Sequence, residues 1–139
     1  MSAVRERSVI VVEDSEEDYA AFRRALKKTG TDARLVRYTD GEACLKGLRS
    51  EEGRNTALVI LDLNLPIQTG HEVLHEIRND ARLRGLPVVV LTTSANPKDV
   101  RACYDLGIGG YIVKEGDFQG FCQKIESLAH YWLGAVHLP

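Results

Sequence analysis

Four short stretches of this sequence carry residue types that could do chemistry together. Glu13-Asp14-Ser15-Glu16-Glu17-Asp18 places five acids in six residues. Asp62 follows the apolar run Ala57-Leu58-Val59-Ile60-Leu61 and precedes Leu63-Asn64-Leu65-Pro66. Thr92-Thr93-Ser94 offers hydroxyls behind a second apolar run, and Lys114 stands behind Tyr111-Ile112-Val113. Clustered carboxylates suit a hard cation such as Mg²⁺ and repel a free phosphate, whereas a nucleotide-binding loop would carry glycines at this point. With Mg²⁺ and Lys114 neutralising the charge on phosphoryl oxygens, Asp62 has the chemistry of a nucleophile in phosphoryl transfer to a carboxylate.

Each stretch alone has a plainer reading. Asp14 or Ser15 capping a helix with an acidic first turn accounts for the first stretch equally well. Asp62 is an ordinary turn residue by type, and Ser and Thr are common in loops. A lone lysine at a strand end is usually solvated. The four gain meaning only if the fold brings them together.

The elements between them point to such a fold. Val9–Val12, Ala57–Leu61 and Val88–Leu91 are continuous apolar runs, as strands covered on both faces should be. Tyr111–Val113 is a shorter strand, and Ala33–Tyr38 reads as an edge strand because it carries Arg34 and Arg37. Helical periodicity fills the gaps, over Ser15–Thr29, Asp40–Glu52, His71–Leu83 and from Asn96-Pro97 to Gly107. A last amphipathic stripe runs through Phe118, Phe121, Cys122, Ile125, Leu128, Ala129 and Trp132. Alternating strands and helices predict an α/β fold around a parallel sheet, with function at the carboxyl ends of the strands. All four stretches come directly after strands.

Composition narrows the function class. The 139 residues are 44% hydrophobic and 27% charged, the balance of one globular domain with its own core. Eighteen basic against 20 acidic residues give a net charge of −2, without the basic excess of a nucleic-acid binder. Cys44, Cys103 and Cys122 lie in apolar helical patterns and read as reduced thiols. No signal peptide or membrane-spanning run is present, so a cytoplasmic location is expected. His71, His75, His130 and His137 form no metal-ligand pattern and read as surface or boundary residues.

The set Glu13-Asp14, Asp62-Leu63-Asn64-Leu65-Pro66, Thr92 and Lys114 resembles the receiver domain of two-component response regulators, across about residues 8–132. The resemblance implies a flavodoxin-like, chemotaxis-regulator-like fold: a five-stranded parallel sheet of order 2-1-3-4-5 flanked by five helices. It implies that Asp62 accepts a phosphoryl group from a sensor histidine kinase. Mg²⁺ would be held by Glu13, Asp14, Asp62 and the backbone carbonyl of Asn64. Thr92 would hydrogen-bond the phosphoryl group, Lys114 would pair with it, and Tyr111 would be the aromatic switch that responds to Thr92. The family usually places a cis proline after its lysine; here Glu115-Gly116 stands instead, and a non-proline cis bond costs about 3–4 kcal/mol, so a trans loop of different shape is expected.

The ending Tyr131-Trp132-Leu133-Gly134-Ala135-Val136-His137-Leu138-Pro139 is similar to that of single-domain regulators associated with bacterial and cyanobacterial phytochromes. That likeness implies a phytochrome kinase as partner and a homodimer contacting through Trp132, Leu133, Val136 and Leu138. Residues 1–7 are expected to be a flexible N-terminus, 8–132 the receiver domain and 133–139 an apolar extension that contacts a second copy or folds back. Two other functions stay open. A phosphorylation-independent interaction module would keep the fold but ignore phosphate. A haloacid-dehalogenase-type aspartyl-phosphate phosphatase would need a second Asp where Asn64 stands.

Overall fold

The computed structural model describes residues 7–139. Of the expected N-terminal segment, residues 1–6 lie outside the described residues. Five strands, β1 (Ser8–Val12), β2 (Arg34–Tyr38), β3 (Thr56–Leu61), β4 (Val88–Thr92) and β5 (Gly110–Val113), form one sheet. All neighbours are parallel, in the order β2-β1-β3-β4-β5. The three central strands are the apolar runs and are buried throughout, while β2 and β5 occupy the edges.

The helices are α1 (Glu16–Lys27), α2 (Gly41–Arg49), α3 (Gly70–Asn79), α4 (Pro97–Asp105) and α5 (Phe118–His130). Strand alternation sorts the core into two layers. Ile10, Val12, Val59, Leu61, Val88 and Val90 face α2, α3 and α4. Val9, Val11, Leu58, Ile60, Val89 and Leu91 face α1 and α5, meeting Phe22, Leu26, Ile125 and Leu128.

Helix starts are set by their caps. Ser15, Asp40, Thr69, Asn96 and Asp117 each accept a backbone N–H from the first turn, satisfying donors that no carbonyl inside the helix can reach. Helix ends depart from periodicity. α2 stops at Arg49 instead of Glu52, because Ser50 turns to an extended conformation and a 3₁₀ turn (Glu52–Asn55) comes next. α3 stops at Asn79 instead of Leu83, and Leu83 enters the core from the next turn.

That turn is fixed by Arg78, whose guanidinium donates to the carbonyls of Arg84, Leu86, Leu106 and Gly107. Burial holds its pKa below the ordinary arginine value. The last helix gives way at Tyr131–Ala135 to a π-helical turn. Among the described residues no helix is long and apolar enough to cross a membrane. Cys44 and Cys103 are buried, Cys122 is half-buried, and all three are free thiols.

Candidate functional site

Strand register places the site. β1 runs between β2 and β3, so its neighbours' connections lead away in opposite directions and a crevice opens at its carboxyl end. Val12 pairs with Leu61, so the next residues, Glu13 and Asp62, come level. The Asp62 N–H donates to the Val12 carbonyl at 3.1 Å. Thr92 pairs with Val113, and the Lys114 N–H donates to the Thr92 carbonyl at 2.7 Å. Four separate stretches of sequence thus end at one edge.

The side chains converge as well. Lys114 Nζ donates to Asp62 Oδ2 at 3.1 Å, to Asp18 Oδ2 at 3.0 Å, and to Glu13 Oε1. Asp62 Oδ1 accepts the Asn64 N–H at 3.1 Å, and Glu13 Oε2 accepts the Ser15 N–H at 3.2 Å. Glu13 and Asp62 are buried, and Asp14 is exposed at the mouth. Burial pushes the Glu13 carboxyl up to about 7, with the Asp62 charge adding to the effect and Lys114 opposing it. For Lys114, burial alone would depress the pKa. The hydrogen bond to Glu13, the charge of Asp62 and the Asp18 contact outweigh it, so the ammonium is held protonated above its ordinary range.

Carboxylate oxygens of Glu13, Asp14 and Asp62 lie within 4.8 Å of one another. Oxygen-only ligands in that number, partly open to water, fit a hard divalent cation that keeps several waters. Thr92 is fully buried, and its Oγ1 has no hydrogen-bond partner. A buried, unsatisfied hydroxyl beside a carboxylate cluster is a donor waiting for an acceptor. Asn64 directs its backbone N–H to Asp62, and its side chain lies 3.5 Å from the Thr93 hydroxyl.

Tyr111 is half-buried, and its hydroxyl donates to the Ser94 carbonyl at 2.9 Å. The peptide bonds of the described residues are all trans, so the loop after Lys114 turns through Gly116 at a φ of +77° instead of through a cis bond. Gly70 explains the close approach of α3: a Cβ there would stand 2.3 Å from the Asp62 carbonyl oxygen.

Sequence reasoning misses three features. Asp18 reads there only as one acid among five, although its position three residues after a capping Ser marks it as a first-turn residue facing the strand ends. The β4–α4 loop is braced by Ser94 Oγ on Asp99 at 2.5 Å, and Asp99 contacts His71 at 3.3 Å. His71, half-buried as a boundary residue, also lies 3.7 Å from the Cys103 sulfur, and so links α3 to α4. Ile67 is 76% exposed at a φ of 66°, a costly conformation for a β-branched residue.

At the far end of the chain Trp132 and Leu133 pack on the α1/α5 layer of this same domain. Val136 and Leu138 are half-buried, and Tyr131 stays 54% exposed, edge-on to Trp132. Arg7 donates to the Pro139 and Thr56 carbonyls, at 2.8 and 2.7 Å, tying the tail to the amino ends of β1 and β3.

Comparison with known proteins agrees with this geometry. Residues 9–126 match the response regulator receiver domain. The chain is 39% identical over 134 residues to the probable methanogenesis regulatory protein FilR2 of Methanothrix harundinacea, covering 94% of this chain and 86% of that one. It is 36% identical over 135 residues to response regulator Rcp1 of Synechocystis, covering 94% and 92%. Among solved structures it is similar to the phosphorylated cyanobacterial phytochrome response regulator RcpA, with a TM-score of 0.88 and 34% identity over 96% of this chain and 99% of that one. The Mn(2+)-bound form of response regulator Rcp1 gives a TM-score of 0.88 at 36% identity, with the same coverage. The chain belongs to the response regulator receiver domain family, and its relatives include phytochrome response regulators.

Proposed function

We propose that this chain is a phosphoacceptor that takes a phosphoryl group on Asp62 from a sensor histidine kinase, with a phytochrome kinase as the donor class. The observation that carries the reading is the Lys114 ammonium 3.1 Å from Asp62 Oδ2, beside a carboxylate triad and the unpartnered Thr92 hydroxyl. The phosphorylated form of its relative RcpA supports it.

The chemistry rests on these groups. An oxygen of Asp62 attacks phosphorus, and the donor's leaving group departs with the bond electrons. Mg²⁺, held by Glu13, Asp14, Asp62 and the Asn64 carbonyl, would supply charge neutralisation at the transferring phosphoryl oxygens. Lys114 pairs with one of those oxygens, and Thr92 donates its hydroxyl to another. As Thr92 is drawn in, Tyr111 reports the change at the surface of β5. The chain catalyses only its own phosphorylation and dephosphorylation, acting in the cytoplasm through protein contacts.

The tail supplies the second half of the proposal. Trp132, Leu133, Val136 and Leu138 form the contact of a homodimer, with exposed Tyr131 beside them. A chain ended at Tyr131 is expected to be monomeric; an equally stable dimer would remove the tail from the account.

Intact mass after incubation with acetyl phosphate tests the acceptor. One phosphoryl adduct is expected in the wild type with Mg²⁺, and none in Asp62→Asn or after chelation. An adduct persisting in Asp62→Asn would overturn the assignment.

A further inference from the structure

Lys114 Nζ has three hydrogens to donate, and three carboxylates take them: Glu13, Asp62 and Asp18. Two of those partners, Glu13 and Asp62, also belong to the carboxylate triad suited to a cation. Asp18 does not. A cation on the triad would share the charge of Glu13 and Asp62 and weaken their hold on the ammonium, whereas Asp18 keeps its full charge for Lys114.

The local structure frees Asp18 for this task. Ser15 caps α1 by accepting the Asp18 N–H at 3.1 Å, which fixes the Asp18 backbone at the third helical position. In a reciprocal capping box an acid at that position reaches back to the cap residue's N–H, as Glu72 does to Thr69 in α3. In α1 that donor is already taken, because the Ser15 N–H donates to Glu13 Oε2 at 3.2 Å. The Asp18 carboxylate instead crosses to β5 and meets Lys114 at 3.0 Å. It is 44% exposed, against 7% for Asp62 and 10% for Lys114, so it stands at the rim while the other groups lie inside.

We propose that Asp18 is a positioning residue for phosphoryl transfer, anchoring the Lys114 ammonium beside Asp62 while Glu13 and Asp62 share their charge with the cation. The proposal rests on the phosphoacceptor reading. It has a sign that simple electrostatics does not share. Removing a negative charge near an anionic donor should speed the reaction if Asp18 acts only through its field. Removing an anchor should slow it, because a displaced ammonium no longer meets the phosphoryl oxygens.

The test compares wild type, Asp18→Asn and Asp18→Glu by the time course of intact mass with saturating acetyl phosphate and Mg²⁺. Attack by Asp62 forms an O–P bond and expels acetate, so each event adds one phosphoryl group. Asp18→Asn is expected to label more slowly, on the order of tenfold, with unchanged Tm and unchanged Mg²⁺ affinity by calorimetry. Asp18→Glu should recover most of the rate. In the Mg²⁺-saturated protein, ¹³C relaxation at Lys114 Cε should report greater mobility in Asp18→Asn. Labelling of Asp18→Asn as fast as wild type or faster, or no recovery in Asp18→Glu, would overturn the role of Asp18 alone. An unlabelled wild type would instead remove the phosphoacceptor reading beneath it.

Discussion

The Tyr111 hydroxyl donates to the Ser94 carbonyl at 2.9 Å, tethering the ring of edge strand β5 to the loop that leaves β4. The same loop is braced from its other side, where Ser94 Oγ donates to Asp99 and Asp99 meets His71 on α3. Two residues upstream the Thr92 hydroxyl has no partner. The loop is therefore satisfied at Ser94 and unsatisfied at Thr92. An acceptor beside Asp62 would satisfy the Thr92 hydroxyl, two residues from a carbonyl and a hydroxyl that are already bonded at Ser94.

Thr92→Val should make the resting protein more stable. The substitution keeps the shape and removes a buried hydroxyl that makes no hydrogen bond, a gain of about 1 kcal/mol. It should also lower the yield of the Asp62 adduct with acetyl phosphate, because a donor to the phosphoryl group is lost. Denaturant midpoints and intact mass read the two effects separately. A less stable Thr92→Val protein would mean that the hydroxyl is already bonded at rest.

Glu13 predicts a pH dependence with a definite sign. Its carboxyl is raised from 4.5 to about 7, chiefly by burial, so the folded state holds the proton more tightly than the unfolded chain. The stability this contributes is fully present below pH 4.5 and is lost as pH rises through about 7. Metal-free wild type should therefore lose more stability between about pH 5 and about pH 8 than Glu13→Gln does. Mg²⁺ competes with the same proton, so its affinity should climb over that range in wild type and stay flatter in Glu13→Gln. Parallel pH profiles for the two proteins would show that Glu13 is ionised throughout.

Gly70→Ala should damage the acceptor without touching a charged group. The added Cβ would lie 2.3 Å from the Asp62 carbonyl oxygen and 2.6 Å from Leu63 Cα, both backbone atoms that cannot step aside. A loss of about 2 kcal/mol is expected from the forced shift, together with slower labelling of Asp62. Gly85→Ala is the control, since a Cβ there meets nothing within 4 Å. Equal behaviour of the two variants would mean that the α3 entry relaxes freely.

The sheet order came with the receiver-domain resemblance, whereas the grouping of the site's residues was legible from strand ends alone. Continuous apolar runs bounded by turns are covered strands, and the residues just past them gather at one edge of a parallel sheet. Asp62, Thr92 and Lys114 come directly from that logic. Helix ends were less legible, because periodicity does not see a guanidinium such as that of Arg78 fixing the turn after α3. Asp18 was hidden by its own neighbours, since an acidic first turn already has an explanation in the helix dipole. The link from His71 to Asp99 joins residues far apart in sequence and on different helices, so no spacing rule could show it.

The tail can be followed through Trp132, the one tryptophan in the chain. Its ring lies against Gly109, where a Cβ would stand 2.4 and 2.6 Å from two ring carbons. Gly109→Ala should push the ring out of its place on the α1/α5 layer, at a cost of about 1–2 kcal/mol. Trp132 emission should shift to the red as water reaches the indole. Gly110→Ala, one residue on, meets nothing within 4 Å and should leave emission unchanged. If the dimer contact is built on the seated Trp132, Gly109→Ala should also weaken association, read as a lower mass by light scattering at a matched concentration. Displaced emission with association intact would place the contact on residues other than Trp132. Unchanged emission would show that Gly109 does not set the ring's position at all.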